Sequence, residues 1–225
     1  MIFRKFIAAT IIGVTVSGCA SIETATRGAT MDTVASLNQM APVPETQAEA
    51  AQELPSYDVT DIRVSVPKSL KVSEANRFYP GGDIVWREDA PGDRHAQVQA
   101  IVENALRQGV ERMERGAVPV LLDVEVTRFH ALSEKTRYSV GGVHAIQFNI
   151  VLRNPETGVA YGPPHFVKAD FRGFGGQTAI AAEARGITQK YRITERLAHV
   201  IQAELSGEGG YQATNLGFIG ALNQL

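Results

Sequence analysis

The chain of 225 residues holds a single cysteine, Cys19. One thiol closes no internal disulfide framework, so any fold must rest on its core. Long apolar runs are also missing. The longest, Phe6 to Val16, falls short of the ~20 residues that span a bilayer. Neither sign of charge dominates: 22 Lys and Arg stand against 24 Asp and Glu, a formal net charge of -2. No basic footprint therefore asks for nucleic acid as a partner. The five histidines lack zinc-helix or zinc-finger spacing, and no cysteine stands near to assist them. There is no Gly-x-Gly-x-x-Gly and no P-loop. No internal repeat is present.

What is there is ordinary for a globular protein: 44% hydrophobic and 20% charged residues. The N-terminus has its own layout. Arg4 and Lys5 precede the apolar run, and Val16-Ser17-Gly18-Cys19 closes it, the order of a secretory signal. These last four residues resemble the bacterial lipobox, whose cysteine is acylated and becomes the new first residue. The resemblance implies a signal peptide over 1–18 and lipidation of Cys19. The blander readings are a secreted protein cut near Cys19 and a weak membrane anchor. A lone thiol is a hazard in an oxidising compartment, and acylation would consume it. Two or more acyl chains anchor stably, one only marginally. Ala20 after the cysteine, rather than Asp, implies by the lipoprotein sorting rule the periplasmic face of the outer membrane. The inner membrane is the second choice.

Residues 19–56 carry Pro42, Pro44 and Pro55 and few large apolar side chains, which suits a lipidated tether. An α+β domain is expected over 57–207. Ile62, Val64 and Val66 alternate with Asp61, Arg63 and Ser65, the period of a half-buried strand that Pro67 ends. A helix follows from an Asp93 cap. Val98, Ile101, Val102, Ala105, Leu106, Val110 and Met113 form its stripe, and Gly116 is expected just past its end. Val118 to Phe129 alternates again and should be the sheet centre. Ser133–Thr136 reverses the chain into a strand with His144, Ile146, Phe148, Ile150 and Leu152. Asn154–Gly158 is a hairpin loop, and the return strand over 159–171 is broken by Pro163 and Pro164. A second long helix is expected from Thr178, with a kink at Gly186 and a stop at Gly207. The tail, 208–225, is Gly-rich with Tyr211, Leu216, Phe218, Ile219 and Leu222. It either docks or stays loose.

The order gives a two-layer α+β sandwich. A mixed sheet of four strands or slightly more carries two amphipathic helices on one face. The first long strand should lie parallel to the central one, with a right-handed crossover. The opposite sheet face, with Asp123, Glu125 and Thr127, should be more polar.

Two resemblances attach to this layout. Ile62 to Leu70, Asp83-Ile84-Val85-Trp86-Arg87, the amphipathic helix and Val124 to Phe129 resemble the auxiliary lipoproteins of MCE/ABC-type envelope lipid transport. Arg128 to Lys135 with Val140 to His144 is similar to an uncharacterised family of alphaproteobacterial lipoproteins. Neither implies a catalytic residue.

Chemistry is sparse. Ser65-Val66-Pro67-Lys68 has the Ser-x-x-Lys spacing, but it straddles a strand end where the spacing needs a helical turn. Gly173-Phe174-Gly175-Gly176 could cradle a phosphate at a helix start, or simply connect strand to helix. His130 and His144 could meet across the hairpin and, with Glu134, bind a metal or titrate near neutrality. The alternative is two strand histidines satisfied locally. Gly141 and Gly142 could let another backbone approach. Trp86 suits a core anchor. His95, His165 and His199 join no constellation. Cys19 is thus the one residue assigned a role, with no catalytic residue, cofactor or metal. The expected function is a membrane-anchored, non-catalytic periplasmic domain with an envelope protein as partner, accessory to lipid transport or outer-membrane assembly. A lipid or small-molecule carrier, with a cavity between helices and sheet, is the alternative, and a hydrolase comes third.

Overall fold

A computed structural model describes residues 56–207 and 209–216. Cys19, the signal over 1–18 and nearly all of the tether lie outside the described residues. The fold is α+β. Among the described residues six strands and four helices follow in the order β1 Tyr57–Ser65, β2 Ile84–Val85, α1 Arg94–Glu111, β3 Val118–His130, α2 Glu134–Arg137, β4 Gly142–Arg153, β5 His165–Lys168, β6 Phe171–Gly173, α3 Gly176–Glu183 and α4 Gln189–Leu205.

The sheet order is β1-β3-β4-β5. β1 runs parallel to β3, with Ile62 opposite Leu122 and Val64 opposite Val124. β4 is antiparallel to β3 and β5 to β4. Beyond the end of β1, β2 takes its place beside β3; beyond the end of β5, β6 takes its place beside β4. One end of the sheet is therefore finished by short strands and loops, and the cleft described below forms there.

One face of the sheet carries the core. Ile62, Val124, Val126, Phe129, Ile146 and Phe148 pack with Val98, Ile101 and Leu106 of α1 and Ile193, Leu197 and Ile201 of α4. Side chains that face this way repeat every second residue, which is why the alternation was readable. At full burial each large side chain contributes ~1.5–3 kcal/mol. The two helices approach closely at Gly109, where an added Cβ would stand 2.4 Å from Ile201 Cγ2 and 2.5 Å from the Ala198 carbonyl oxygen. The other face carries more polar side chains, although Leu121, Val143 and Ala145 are buried on it. Asp123 there binds Arg153 at 2.8 Å, and Glu125 is exposed.

Three local expectations need correction. The second helix is two helices. Gly186 adopts φ 78°, a left-handed conformation that costs glycine nothing, and the chain restarts at Thr188, whose hydroxyl caps α4 by accepting from Tyr191 N–H. Thr178 lies inside α3, which begins after Gly175 with no side-chain cap. The stripe read across the break therefore slipped, and Ile180 and Tyr191 are exposed. Gly116 is no helix cap, since α1 ends at Glu111. Its N–H donates to the Tyr57 carbonyl at 3.1 Å, and a Cβ there would stand 2.2 Å from the Ser56 carbonyl carbon. It is glycine because the start of β1 passes over it. The expected cap Asp93 does hold α1, accepting from His95 and Ala96 N–H. Beyond α4, Tyr211 packs against the core, and Arg196 donates to its hydroxyl and to Thr214.

Candidate functional site

An open cleft of about 430 Å³ lies at the end of the sheet finished by β2 and β6. Its walls are the loop Phe78-Tyr79-Pro80, the strand end His130 to Leu132, and Val140 to Val143. His130 and Ala145 are register partners, next to the pair Phe129 and Ile146 that faces the helices. The cleft thus opens on the face away from α1 and α4. Large apolar groups stand in water around it: Tyr79 is 69% exposed, Val140 76% and Phe78 42%. Clustered apolar exposure of this kind marks interaction surfaces.

The walls are fixed by polar side chains. Ser133 caps α2, accepting from Thr136 N–H, and its hydroxyl donates to the Arg77 carbonyl at 2.8 Å. Asn76 accepts from Lys135 N–H at 2.7 Å. Ser73 donates to the Pro80 carbonyl at 2.7 Å. The Lys135 ammonium lies 4.9 Å from the centre of the Phe78 ring. Behind the loop, buried Arg94 and half-buried Arg87 share Glu74. The Arg94 hydrogen bond is the main cause of the lowered Glu74 pKa. An aperiodic loop is in this way held open rather than collapsed.

Glu134 and the two histidines do not come together. Glu134 binds Arg87 at 2.6 Å. Burial works against its charge, but Arg87 and Arg137 outweigh it and hold the carboxyl below the usual range. His130 is buried in the cleft wall, and its Nδ1 accepts from Arg128 Nη2 at 3.1 Å. Desolvation first, then Arg128, pushes its pKa down to about 4, so the ring is neutral at pH 7. His144 faces the helices, tilted on Phe171 with ring centres 4.8 Å apart. Burial and the guanidinium of Arg192 push it down to about 3. Its Nδ1 has no hydrogen-bond partner among the described residues. Among those residues no three acidic, histidine or cysteine side chains are placed to hold a metal ion.

The remaining candidates hold structural partners. Ser65 donates to the Val124 carbonyl at 3.4 Å, and Lys68 pairs with Asp93 at 3.1 Å. Gly175 meets the chain's own Val140-Gly141 backbone, where an added Cβ would stand 2.3 Å from Gly141 N. The backbone that approaches Gly141 is thus an internal one. Trp86 is fully buried. His95 bonds the Leu70 carbonyl at 3.2 Å, His165 lies 3.5 Å from Glu204, and His199 is exposed on α4. The cleft itself escaped the reading of motifs. Its signal was the adjacent aromatics Phe78-Tyr79 in a stretch with neither strand nor helix period.

The model of one protein family matches residues 57–221. The chain belongs to that family, DUF6778, a family of unknown function. The match takes in the whole sheet, both core helices and every wall of the cleft. No curated protein matches the chain. Among solved structures, the DUF330 protein XCC0632 of Xanthomonas campestris is similar at 13% identity and a TM-score of 0.40, over 67% of this chain and 86% of that one. A candidate lipoprotein of Caulobacter crescentus CB15 is similar at 14% identity and 0.31, over 52% and 83%. Likeness at that level says nothing about function. Among the described residues no helix is long and apolar enough to cross a membrane.

Proposed function

We propose that this DUF6778 protein is a lipid-anchored envelope protein whose folded domain is a non-catalytic binding module. Acyl groups on Cys19 hold it at the periplasmic face of the outer membrane, and residues 19–56 tether the domain. The cleft beside Phe78, Tyr79 and Val140 is the working surface. One observation carries this reading. Phe78 and Tyr79 are kept in water by a loop whose polar groups are already committed to one another, and Val140 is exposed on the same cleft. The Ser133 hydroxyl, the nearest thing to a nucleophile in the cleft, donates to a backbone carbonyl and caps a helix. His130 accepts from an arginine, which disfavours the protonated state a general base must reach. The sequence likenesses to alphaproteobacterial lipoproteins and to auxiliary lipoproteins of MCE/ABC-type transport favour a role beside envelope lipid transport. The interior carrier is less favoured, because the apolar cleft lies away from the helix–sheet core.

Fractionation combined with complementation tests it. Wild type is expected in the membrane pellet, with Cys19→Ser in the soluble fraction. Val140→Asp, at an exposed site, should fold and stay in the pellet yet fail to correct the envelope defect of a deletion strain. His130→Gln, which keeps an acceptor for Arg128, should correct it. Rescue by Val140→Asp, or loss of rescue with His130→Gln in a stably folded protein, contradicts the reading.

A further inference from the structure

The two ends of the sheet are unlike. The cleft lies where β3 finishes, at His130. At the opposite end the chain enters the sheet, with Tyr57 opposite Val118, and β4 finishes, with Arg153 opposite Leu121. From Leu121 to His130 the sheet runs roughly 30 Å. At the entry end, the hairpin between β4 and β5 shows apolar side chains to water. No charged residue occurs from Thr157 to Pro164. Val159 is 64% exposed and Tyr161 51%, and Ala160, Pro163 and Pro164 are exposed with them. The hairpin is built, not loose. Asn154 Oδ1 accepts from Glu156 and Thr157 N–H, both at 2.9 Å. Asn154 N–H donates to the Val159 carbonyl at 2.8 Å, and Tyr161 N–H to the Leu152 carbonyl at 2.9 Å. Val159 and Tyr161, two residues apart on this ladder, project to one side.

We propose, resting on the lipid anchor of the preceding section, that this hairpin is a membrane contact. Val159 and Tyr161 enter the interfacial layer of the bilayer that holds Cys19, and the cleft points away from it. The place where the chain leaves the domain favours this occupant. The segment that leads from the anchor joins the fold at Tyr57, and Tyr57, Tyr161 and Pro163 line one concavity of about 320 Å³. The hairpin is thus the exposed apolar surface beside the root of the tether. Its backbone suits the same occupant. Polar groups that near hydrocarbon must be satisfied within the protein. From Asn154 to Tyr161 they are largely bonded inside the hairpin, and Pro163 and Pro164 have no N–H to satisfy. A tyrosine suits the headgroup boundary, where its ring is buried and its hydroxyl stays wet. Charge does not drive the contact. The neighbouring concavity that shares Tyr57 carries Asp58, Glu111 and Glu114 against Arg115, so an anionic surface gains nothing over a zwitterionic one.

The test uses the full lipidated protein in phosphatidylcholine vesicles. A thiol-reactive NBD fluorophore is attached at Val159→Cys or, at the far end of the sheet, at Val140→Cys. Acylated Cys19 leaves no competing thiol, because the chain has no other cysteine. A lipid with a nitroxide near the top of its acyl chain is expected to quench the probe at 159 at least about threefold more than the probe at 140. Tyr161→Asp, at an exposed site outside the core, should bring quenching at 159 down to the level at 140. Adding phosphatidylglycerol should leave it unchanged. Equal quenching at 159 and 140, or quenching at 159 that Tyr161→Asp leaves intact, overturns the membrane contact while the anchor stands. A rise with phosphatidylglycerol also overturns it, in favour of a contact made by charge. Wild-type protein that fails to float with the vesicles removes the anchor, and with it both the proposed function and this contact.

Discussion

Lowering the pH from 7 to 4 is expected to destabilise the folded domain steeply. The cause is two neutral histidines. His144 is fully buried beside Arg192, and His130 is buried beside Arg128. In the unfolded chain both protonate near the ordinary value of about 6.5. In the fold they hold out to about 3 and about 4. Between these limits the unfolded state binds more protons, so stability falls as pH falls. Each histidine contributes a slope of about 1.4 kcal/mol per pH unit within its own window. The loss begins near pH 6.5, and it is complete for His130 near 4 and for His144 near 3. Together it is on the order of several kcal/mol, a large part of a typical 5–15 kcal/mol. Asp170 and Glu204, whose carboxyls burial pushes up, act in the opposite direction and soften the lower end. Urea midpoints measured from pH 7.5 to 4 would show it. His144→Leu should remove about one histidine's share of the slope. It should also raise stability at pH 7, because an unpartnered buried nitrogen costs about 1–3 kcal/mol. A flat profile between pH 7 and 5 would contradict the burial of both rings.

Trp86→Ala should cost about 3–5 kcal/mol, the usual range for deleting a buried Trp. Trp86 is fully buried just past β2 and meets Phe129 edge-on at 5.8 Å between ring centres. Its indole N–H donates to Asp89 at 2.8 Å, and Asp89 in turn receives Lys190 of α4 at 2.9 Å. The substitution therefore opens a cavity and also loosens the tie between the loop before α1 and the start of α4. Trp86→Phe keeps the ring packing and loses the N–H, so it should cost clearly less. Urea unfolding followed by far-UV circular dichroism compares the three proteins. A loss below about 1 kcal/mol for Trp86→Ala would place this side chain outside the core.

Much of this architecture was legible because one sheet face is buried and the other is more polar. Ile62, Val64, Leu122, Val124 and Val126 had to alternate with polar neighbours, and the register aligns them as read. Asp93 announced α1 because a carboxylate before an apolar stripe can take two N–H groups of the first turn. What escaped depends on contacts distant in sequence. The break at Gly186 falls in an apolar stripe that continues through it, and only the left-handed conformation of that glycine ends α3. Gly116 and Gly175 have their glycine for backbones about sixty and thirty-five residues away. Phe78 and Tyr79 carried no period. What they line is decided by Ser133 and Asn76, which staple their loop to α2. The histidines paired by their strands were separated by the strand pleat, which turns His130 to the cleft and His144 to the core.

Site-specific photocrosslinking in living cells tests most directly that the cleft is where this protein works. A benzophenone side chain is placed at position 140, 76% exposed on the cleft rim, and separately at position 191, 53% exposed on α4. A discrete crosslinked product at 140, with none at 191, is the predicted result. Equal yields at the two positions, or none at 140, would contradict the cleft as the binding surface.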